Sequence, residues 1–490
     1  MRKIREEIVK TYIALIFTFL PLYYSDNYYN ILHDKRDVYI WLSIAFVAII
    51  ALLGIIQIRR TRGETIKDEI KSICLLDIAM LLFAVVAIIS TCGSGDRTAS
   101  FTGENAWDVG SGVILLSTAV YFAVSRLFSK RADIWFYIYI GSFAVLMIGV
   151  IDRLGYDFLI MHDEIPLQYE IFISTIGNVN FWSGYLAMLV PIFMVAPIFM
   201  KSRITRCFSY MFVLVAYFSC FITLANTTYI GIGCGMAYVV YYSLKDKNRI
   251  KNLAVNMVLF MIAGMAANIF WKRQITPRAI DTDTISLLLL EYKLYYIVGI
   301  FGVLLLLYAL LAKGEQKKAY RIARIAWIGI LVFCLGGLVT YLIFNYSLEL
   351  FNYRGSIWYF SWNGFLDGSI KDKLIGVGPG LLDNVTQPQI ANANFHVVWD
   401  YIYNTAHNDL LEYLVTTGLV GMLLKLVIYI IPFTMVGKRE EYQTERAAIM
   451  AGLVGYIGQG LVTGPYVLTY VMYVVLLGMF NAYDRKQSVK

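Results

Sequence analysis

Apolar stretches of roughly 20 residues, divided by short polar connections, recur along almost the whole chain, and each is long enough to cross about 30 Å of hydrocarbon as a helix. A helix satisfies its own backbone groups inside lipid, so the pattern predicts an all-α, polytopic integral membrane protein. The predicted spans run near 8–24, 38–57, 73–91, 109–127, 134–151, 180–200, 207–225, 227–244, 252–271, 287–312, 325–346, 409–434, 445–463 and 466–483, fourteen in number. No internal repeat or low-complexity linker separates them, and residues 1–490 read as a single transmembrane domain. The apolar run after MRKIREE continues into PLYYSDNYYN rather than a small-residue cleavage site, which predicts that the first span is retained.

Charge supplies the orientation. Lys and Arg concentrate in alternate connections, at MRKIR, 59–71, 129–133, 201–206, 245–251, 317–324, 437–440 and the terminal DRKQSVK. The positive-inside rule places these in the cytoplasm, and an even number of crossings then leaves both termini there. One connection on the opposite side, 348–406, is far longer than the rest, and loops of that length are usually functional. Its interleaved aromatic and polar residues, as in FNYRGSIWYFSWNGFLDGS, suit interfacial amphipathic helices, a sugar-stacking surface or an aromatic belt at headgroup level.

With 59% hydrophobic and only 16% charged residues among 490, against about a quarter charged in soluble domains, the composition excludes a soluble globule. The net charge of +8 is carried by short basic clusters between spans, which argues for topology and against a nucleic-acid partner. Six scattered cysteines without a Cys-x-x-Cys pair read as buried small apolar residues.

Candidate chemistry gathers where the long loop returns to the membrane, in NTAHNDLLEYLVTTGLVGMLL. Asn404 or Thr405 suits an N-cap, with Asp409 and Glu412 in the first turns, so a helix is expected to start just before His407. There the macrodipole disfavours imidazolium and the open N–H groups welcome phosphate, which makes His407 a candidate general base beside an anion site. Gly418 and Gly421 read as close helix packing. Arg354, among aromatics at the start of the long loop, presents a planar fork that matches phosphate oxygens; the bland alternative is an Arg snorkelling to the interface. Gly376, Gly378 and Gly380 read as a tight turn, and Asn178 and Asn180 as helix caps or sugar-hydroxyl ligands at the mouth of the sixth span. Glu291 and Lys293 are expected to pair or to line a polar cavity. Nothing in the spacing of His33, His162, His396 and His407, or of the acids, points to a bound metal.

A His407–Asn408 pair, nine intervening residues and Gly418-x-x-Gly421 resemble the signature of the bacterial O-antigen ligases and the related polysaccharide polymerases. The order of Arg354 and a neighbouring Trp, then the Gly-x-Gly turn, then His-Asn repeats that family's order, and GNVNF at Gly177–Phe181 resembles another of its segments. The resemblance runs from about residue 170 to the C-terminus, with 350–480 the most family-like region; the first 170 residues match only in hydropathy. Relatives often carry Ser-Arg between spans seven and eight where this chain has Ala225 and Asn226, so another cation must serve, with Lys272, Arg273 and Arg278 as candidates.

The resemblance implies a GT-C-like, inverting, metal-independent and cofactor-free glycosyltransferase of the cell membrane, acting on its extracytoplasmic face. The implied donor is an undecaprenyl-diphosphate-linked glycan and the acceptor a glycan or lipid. His407 would deprotonate or orient the acceptor hydroxyl, and Arg354 would hold the diphosphate. Fourteen spans without an appended soluble domain lean towards polymerase over ligase. A lipid-linked oligosaccharide flippase or other polysaccharide transporter is the alternative, although such folds usually show repeated halves.

Overall fold

The computed structural model describes residues 2–60, 72–104, 106–162, 171–272, 285–312, 314, 316–393, 403–436 and 441–485. Within these the chain is helical apart from one two-stranded hairpin. The first predicted span is broken at Thr18 into α1 (Arg2–Phe17) and α2 (Phe19–Leu22), where the Thr18 hydroxyl donates back to the Ala14 carbonyl at 2.7 Å. Then follow α3 (Ile31–Arg60), α4 (Leu75–Cys92), the short α5 (Arg97–Thr102), α6 (Ser111–Leu127) and α7 (Ile134–Arg153). The hairpin pairs β1 (Phe172–Ile173) antiparallel with β2 (Gly177–Asn178) and runs directly into α8 (Val179–Val195). Beyond it lie α9 (Arg203–Thr223), α10 (Asn226–Ser243), α11 (Lys247–Lys272), α12 (Ile285–Glu291), α13 (Leu294–Leu311) and α14 (Lys317–Phe344).

The long loop is itself largely helical: α15 (Leu350–Asp367), α16 (Ile370–Ile375) and α17 (Asp383–Asn392). Its amphipathic helices bury a small separate cluster of Ile357, Phe360, Ile390 and Tyr403 and expose Tyr359 and Trp362. The span predicted at 409–434 divides into α18 (Asp409–Thr416) and α19 (Gly418–Met435), and α20 (Gln443–Gly460) and α21 (Val467–Asp484) close the chain.

Each of the fourteen predicted stretches contains helix, but among the described residues ten helices are long and apolar enough to cross a membrane. The other four are α1, α6, α10 and α20. The sequences of α10 and α20 are rich in Gly and polar residues because these helices pack inside the bundle. A Cβ added at Gly231 or Gly235 of α10 would collide with Ala187 or Pro191 of α8, and one at Gly455 of α20 with the Ala187 carbonyl. Small residues thus bring three backbones together, as in other lipid-embedded helix packings.

α8 and α21 form the centre and are almost wholly buried, whereas α14 is peripheral, touching α10 through the Trp327 indole N–H, 2.9 Å from the Ala237 carbonyl, and burying Tyr320 against Ile250 and Ala309. α21 packs along α6, and α19 along α4. At one end of this group the buried Asp77 carboxylate accepts from Arg126 (2.9 Å), Tyr121 (2.8 Å), Asn481 (3.0 Å) and Arg485 (2.7 Å), tying α4, α6 and α21 together. A buried carboxylate held by four side-chain donors rigidifies the bundle.

Two expectations fail here. Cys92, Cys207 and Cys334 are exposed rather than buried, because they sit on outward helix faces. Glu291 and Lys293 are both exposed and make no ion pair among the described residues, Lys293 standing in the left-handed break between α12 and α13.

Candidate functional site

The motif residue His407 lies just ahead of α18, with φ of 47°. The N-cap is Asn408, not Asn404 or Thr405: its Oδ1 accepts from the Leu411 N–H at 3.0 Å, and the helix begins at Asp409. Glu412 reaches back to accept from the Ala406 N–H at 2.6 Å, so the turn carrying His407 is closed by its own helix. The Asn408 amide also donates to the Leu461 carbonyl at 3.0 Å. Arg354 Nε donates to the next carbonyl, Val462, at 2.9 Å. Two residues predicted to share a site therefore grip adjacent carbonyls of the turn between α20 and α21.

His407 borders a cavity of about 500 Å³ whose other walls come from distant parts of the chain. They are the segment Tyr28–His33 at the start of α3, Glu104, Trp107 and Asp108 before α6, the hairpin with Asn178, Asn180 and Phe181, and Asn404. Trp107 stands edge-on to His407 and to Phe181, with ring centroids 5.0 Å and 5.1 Å apart. Its carbonyl accepts from the Val467 N–H at 3.2 Å, which anchors Trp107 to the start of α21. Across the cavity His33 Nδ1 lies 2.7 Å from Asp108 Oδ1, and Arg36 Nη1 donates to the same oxygen at 2.8 Å. Burial pushes the Asp108 carboxyl up from its usual range, opposed by the charges of His33 and Arg36.

His407 is neutral. Burial, then the nearby Arg354 charge, holds its pKa down to about 3. The expected direction is found, but burial rather than the helix dipole is the main cause. Its Nδ1 is buried and has no hydrogen-bond partner among the described residues.

Arg354 follows a left-handed turn at Phe351, Asn352 and Tyr353. Its Nη1 donates to the Phe351 carbonyl at 3.0 Å, so each edge of the guanidinium fork has one nitrogen already engaged. Burial lowers its pKa from the ordinary value, and no carboxylate pairs with it among the described residues. A partly desolvated cation without a counter-charge is receptive to an anion.

The remaining predicted residues divide between packing and the cavity wall. Asn178 caps α8, accepting from the Asn180 N–H at 2.8 Å, and Asn180 Oδ1 accepts from Thr227 at 3.1 Å. Both also border the cavity, so the two readings of these asparagines coexist. Gly376, Gly378 and Gly380 form the expected tight turn, with φ of 79°, 117° and 77°. Two of its N–H groups go to α18, Val377 to Val415 at 3.2 Å and Gly378 to Thr416 at 2.9 Å, and the Gly376 N–H donates to Asp372 at 2.8 Å. A Cβ at Gly418 would collide with the backbone of Leu374, and one at Gly421 with the Thr417 side chain. Asn226 accepts from the Ile285 N–H at 2.7 Å. Lys272 ends α11, and Arg273, Arg278 and His396 lie outside the described residues.

The sequence gives His33, Arg36, Trp107 and Asp108 no part in the site, although HDKRD places four charges at the start of a predicted span, at the end opposite its basic connection. Among the described residues no three His, Cys, Asp or Glu side chains are grouped as a metal site would require. No protein-family model matches the chain, and no curated protein matches it.

Proposed function

We propose that this chain is a membrane glycosyltransferase of the O-antigen ligase and polymerase type, fourteen-spanning and GT-C-like. It would transfer undecaprenyl-diphosphate-linked glycan on the outer face of the cytoplasmic membrane, and polymerisation is favoured over ligation. One observation carries the reading: a neutral His407 shares a cavity with Asn, Tyr, Trp and carboxylate side chains, while the uncompensated Arg354 cation lies close by. Stacking rings and amides suit a sugar, and a cation suits its diphosphate. The segments that form the cavity all lie at helix ends remote from the Lys/Arg-rich connections, as an outer-face site requires.

In this reading His407 orients the acceptor hydroxyl, whose oxygen attacks the anomeric carbon of the donor as its proton passes to a base of the cavity. The bond from that carbon to the diphosphate oxygen breaks, and the pair leaves with the diphosphate. Because the leaving group is highly charged, Arg354 contributes chiefly by electrostatic stabilisation. Arg354→Lys is expected to transfer nearly as poorly as Arg354→Ala, since an ammonium cannot hold the Phe351 and Val462 carbonyls and still face a phosphate. A fully active Lys variant in a transfer assay would return Arg354 to an interfacial role.

Topology is open to direct test. In a cysteine-free background, Ile370→Cys, whose position is 79% exposed, should react with an impermeant thiol reagent in intact cells, whereas Lys318→Cys should not. The reverse pattern would invert the orientation and remove the outer-face site.

Deletion of the gene is expected to leave lipid-linked single repeats and abolish long chains, and charge reversal of Lys272 and Arg273 to shorten chains. A polymerase must hold two lipid diphosphates at once, which these residues and Arg354 would serve as separate cation groups. A deletion strain that still makes full-length lipid-linked polymer, but no longer attaches it to a final acceptor, would mark a ligase.

A further inference from the structure

His33 stands in the first turn of α3, its side chain 44% exposed and bordering the cavity, while its partner Asp108 is only 2% exposed. The 2.7 Å contact between His33 Nδ1 and Asp108 Oδ1 fixes the imidazole by a buried carboxylate. With the shared proton on Nδ1, the lone pair is on Nε2, and the carboxylate stabilises the imidazolium as it forms. Arg36 on the same oxygen, at 2.8 Å, favours the ionised form of Asp108. Trp107 and Asp108 adopt φ of 36° and 61°, a region that L-residues rarely occupy. That turn is pinned where Gly103 and Gly110 approach so closely that neither tolerates a Cβ, and by the bond from Val467 to the Trp107 carbonyl. The dyad is thus presented to the cavity by a rigidly held turn.

His407 lacks any such support. No carboxylate orients its ring, and its Nδ1 is buried without a partner among the described residues. Its neutral ring can donate one hydrogen bond to the acceptor oxygen and is poorly equipped to keep a second proton.

Building on the transferase reading, we infer that His33, oriented by Asp108, is the proton acceptor of the site, and that His407 positions the acceptor hydroxyl on the same cavity. As the acceptor oxygen bonds to the anomeric carbon, its proton passes to His33 Nε2. The electron pair of the cleaved carbon–oxygen bond departs with the diphosphate, and the His33 imidazolium then returns its proton to water.

The test uses the full-length protein in liposomes, with lipid-linked repeat units extracted from the producing strain as the probe. The wild type should transfer, and His33→Gln and His33→Gly should lower kcat about 10²-fold with little change in KM. Imidazole in the medium should restore part of the His33→Gly rate, since the cavity is open and large enough to admit it. Asp108→Asn should fall by a similar factor, and the His33→Gln/Asp108→Asn pair should be no slower than either alone, as groups acting as a unit behave. Should Asp108→Asn fail to insert, the His33 variants, which remove no buried charge, still decide. A transferring wild type whose His33 variants keep the parental rate overturns the inference and leaves the transferase reading intact. An inactive His33→Gly with unchanged melting and no rescue by imidazole overturns the proton step. A wild type that transfers nothing overturns both.

Discussion

His407→Ala is expected to lower glycan transfer about 10²-fold or more, while the protein still inserts and melts as the parent does. The side chain closes no structural network among the described residues: its Nδ1 has no partner, and its ring contact is the edge-on approach to Trp107 at 5.0 Å. The turn around it is held by others, through Asn408 to Leu411 and Leu461 and through Glu412 to Ala406. Removing the imidazole therefore leaves the scaffold in place and takes away the group proposed to hold the acceptor hydroxyl. A variant that transfers at the parental rate would make His407 a bystander.

Lys425→Met is expected to cost about 3–5 kcal/mol of stability, because it strands the Asp409 carboxylate without its cation. Lys425 and Asp409 are both buried, with Nζ and Oδ2 4.0 Å apart, and the Tyr429 hydroxyl donates to the same carboxylate. The ammonium is also caged by the rings of Phe83, Tyr413, Tyr429, Tyr470 and Tyr473, with centroids between 4.7 and 5.6 Å away. An aromatic cage stabilises a cation through the ring quadrupoles but does nothing for a lone anion. Thermal melting in detergent should show a large loss for Lys425→Met and substantial recovery when Asp409→Asn is added, since the double variant buries no net charge. Equal melting of the single and double variants would mean that the two groups are not coupled. Because Asp409 opens α18 directly after the His407 turn, transfer should fall together with stability in the single variant.

Much of the architecture is written in hydropathy, since a helix that faces lipid must be apolar across the hydrocarbon. α3, α13 and α14 are of that kind. α10 and α20 carry weaker signals because they face other helices, where Gly231, Gly235 and Gly455 matter more than hydrophobicity. The break between α18 and α19 was hidden for a different reason. Gly418 was read as a packing residue inside a continuous span, yet its φ of 71° and the crowding against Leu374 end one helix and start another.

The site was half legible. His407, Asn408 and Arg354 stand out by residue type and spacing, and the structure brings them to one turn at Leu461 and Val462. The opposite wall of the cavity was not legible, because His33 and Trp107–Asp108 are joined to His407 only by the folding of α3, α6, α8 and α21 around each other. Linear spacing carries no trace of such contacts. The fork of Arg354 shows the same limit: residue type indicates a phosphate ligand, and only coordinates reveal that two of its nitrogens are already bound to carbonyls.

The central claim is group transfer from a lipid diphosphate, and the most direct measurement is made with the purified protein in liposomes. Supplied with lipid-linked repeat units, the wild type should convert them into a ladder of longer lipid-linked chains and release undecaprenyl diphosphate in step with each bond made, and His407→Ala should do neither at a comparable rate. Movement of intact lipid-linked units across the bilayer, with no new glycosidic bond and no diphosphate released, would contradict the account and identify a transporter instead.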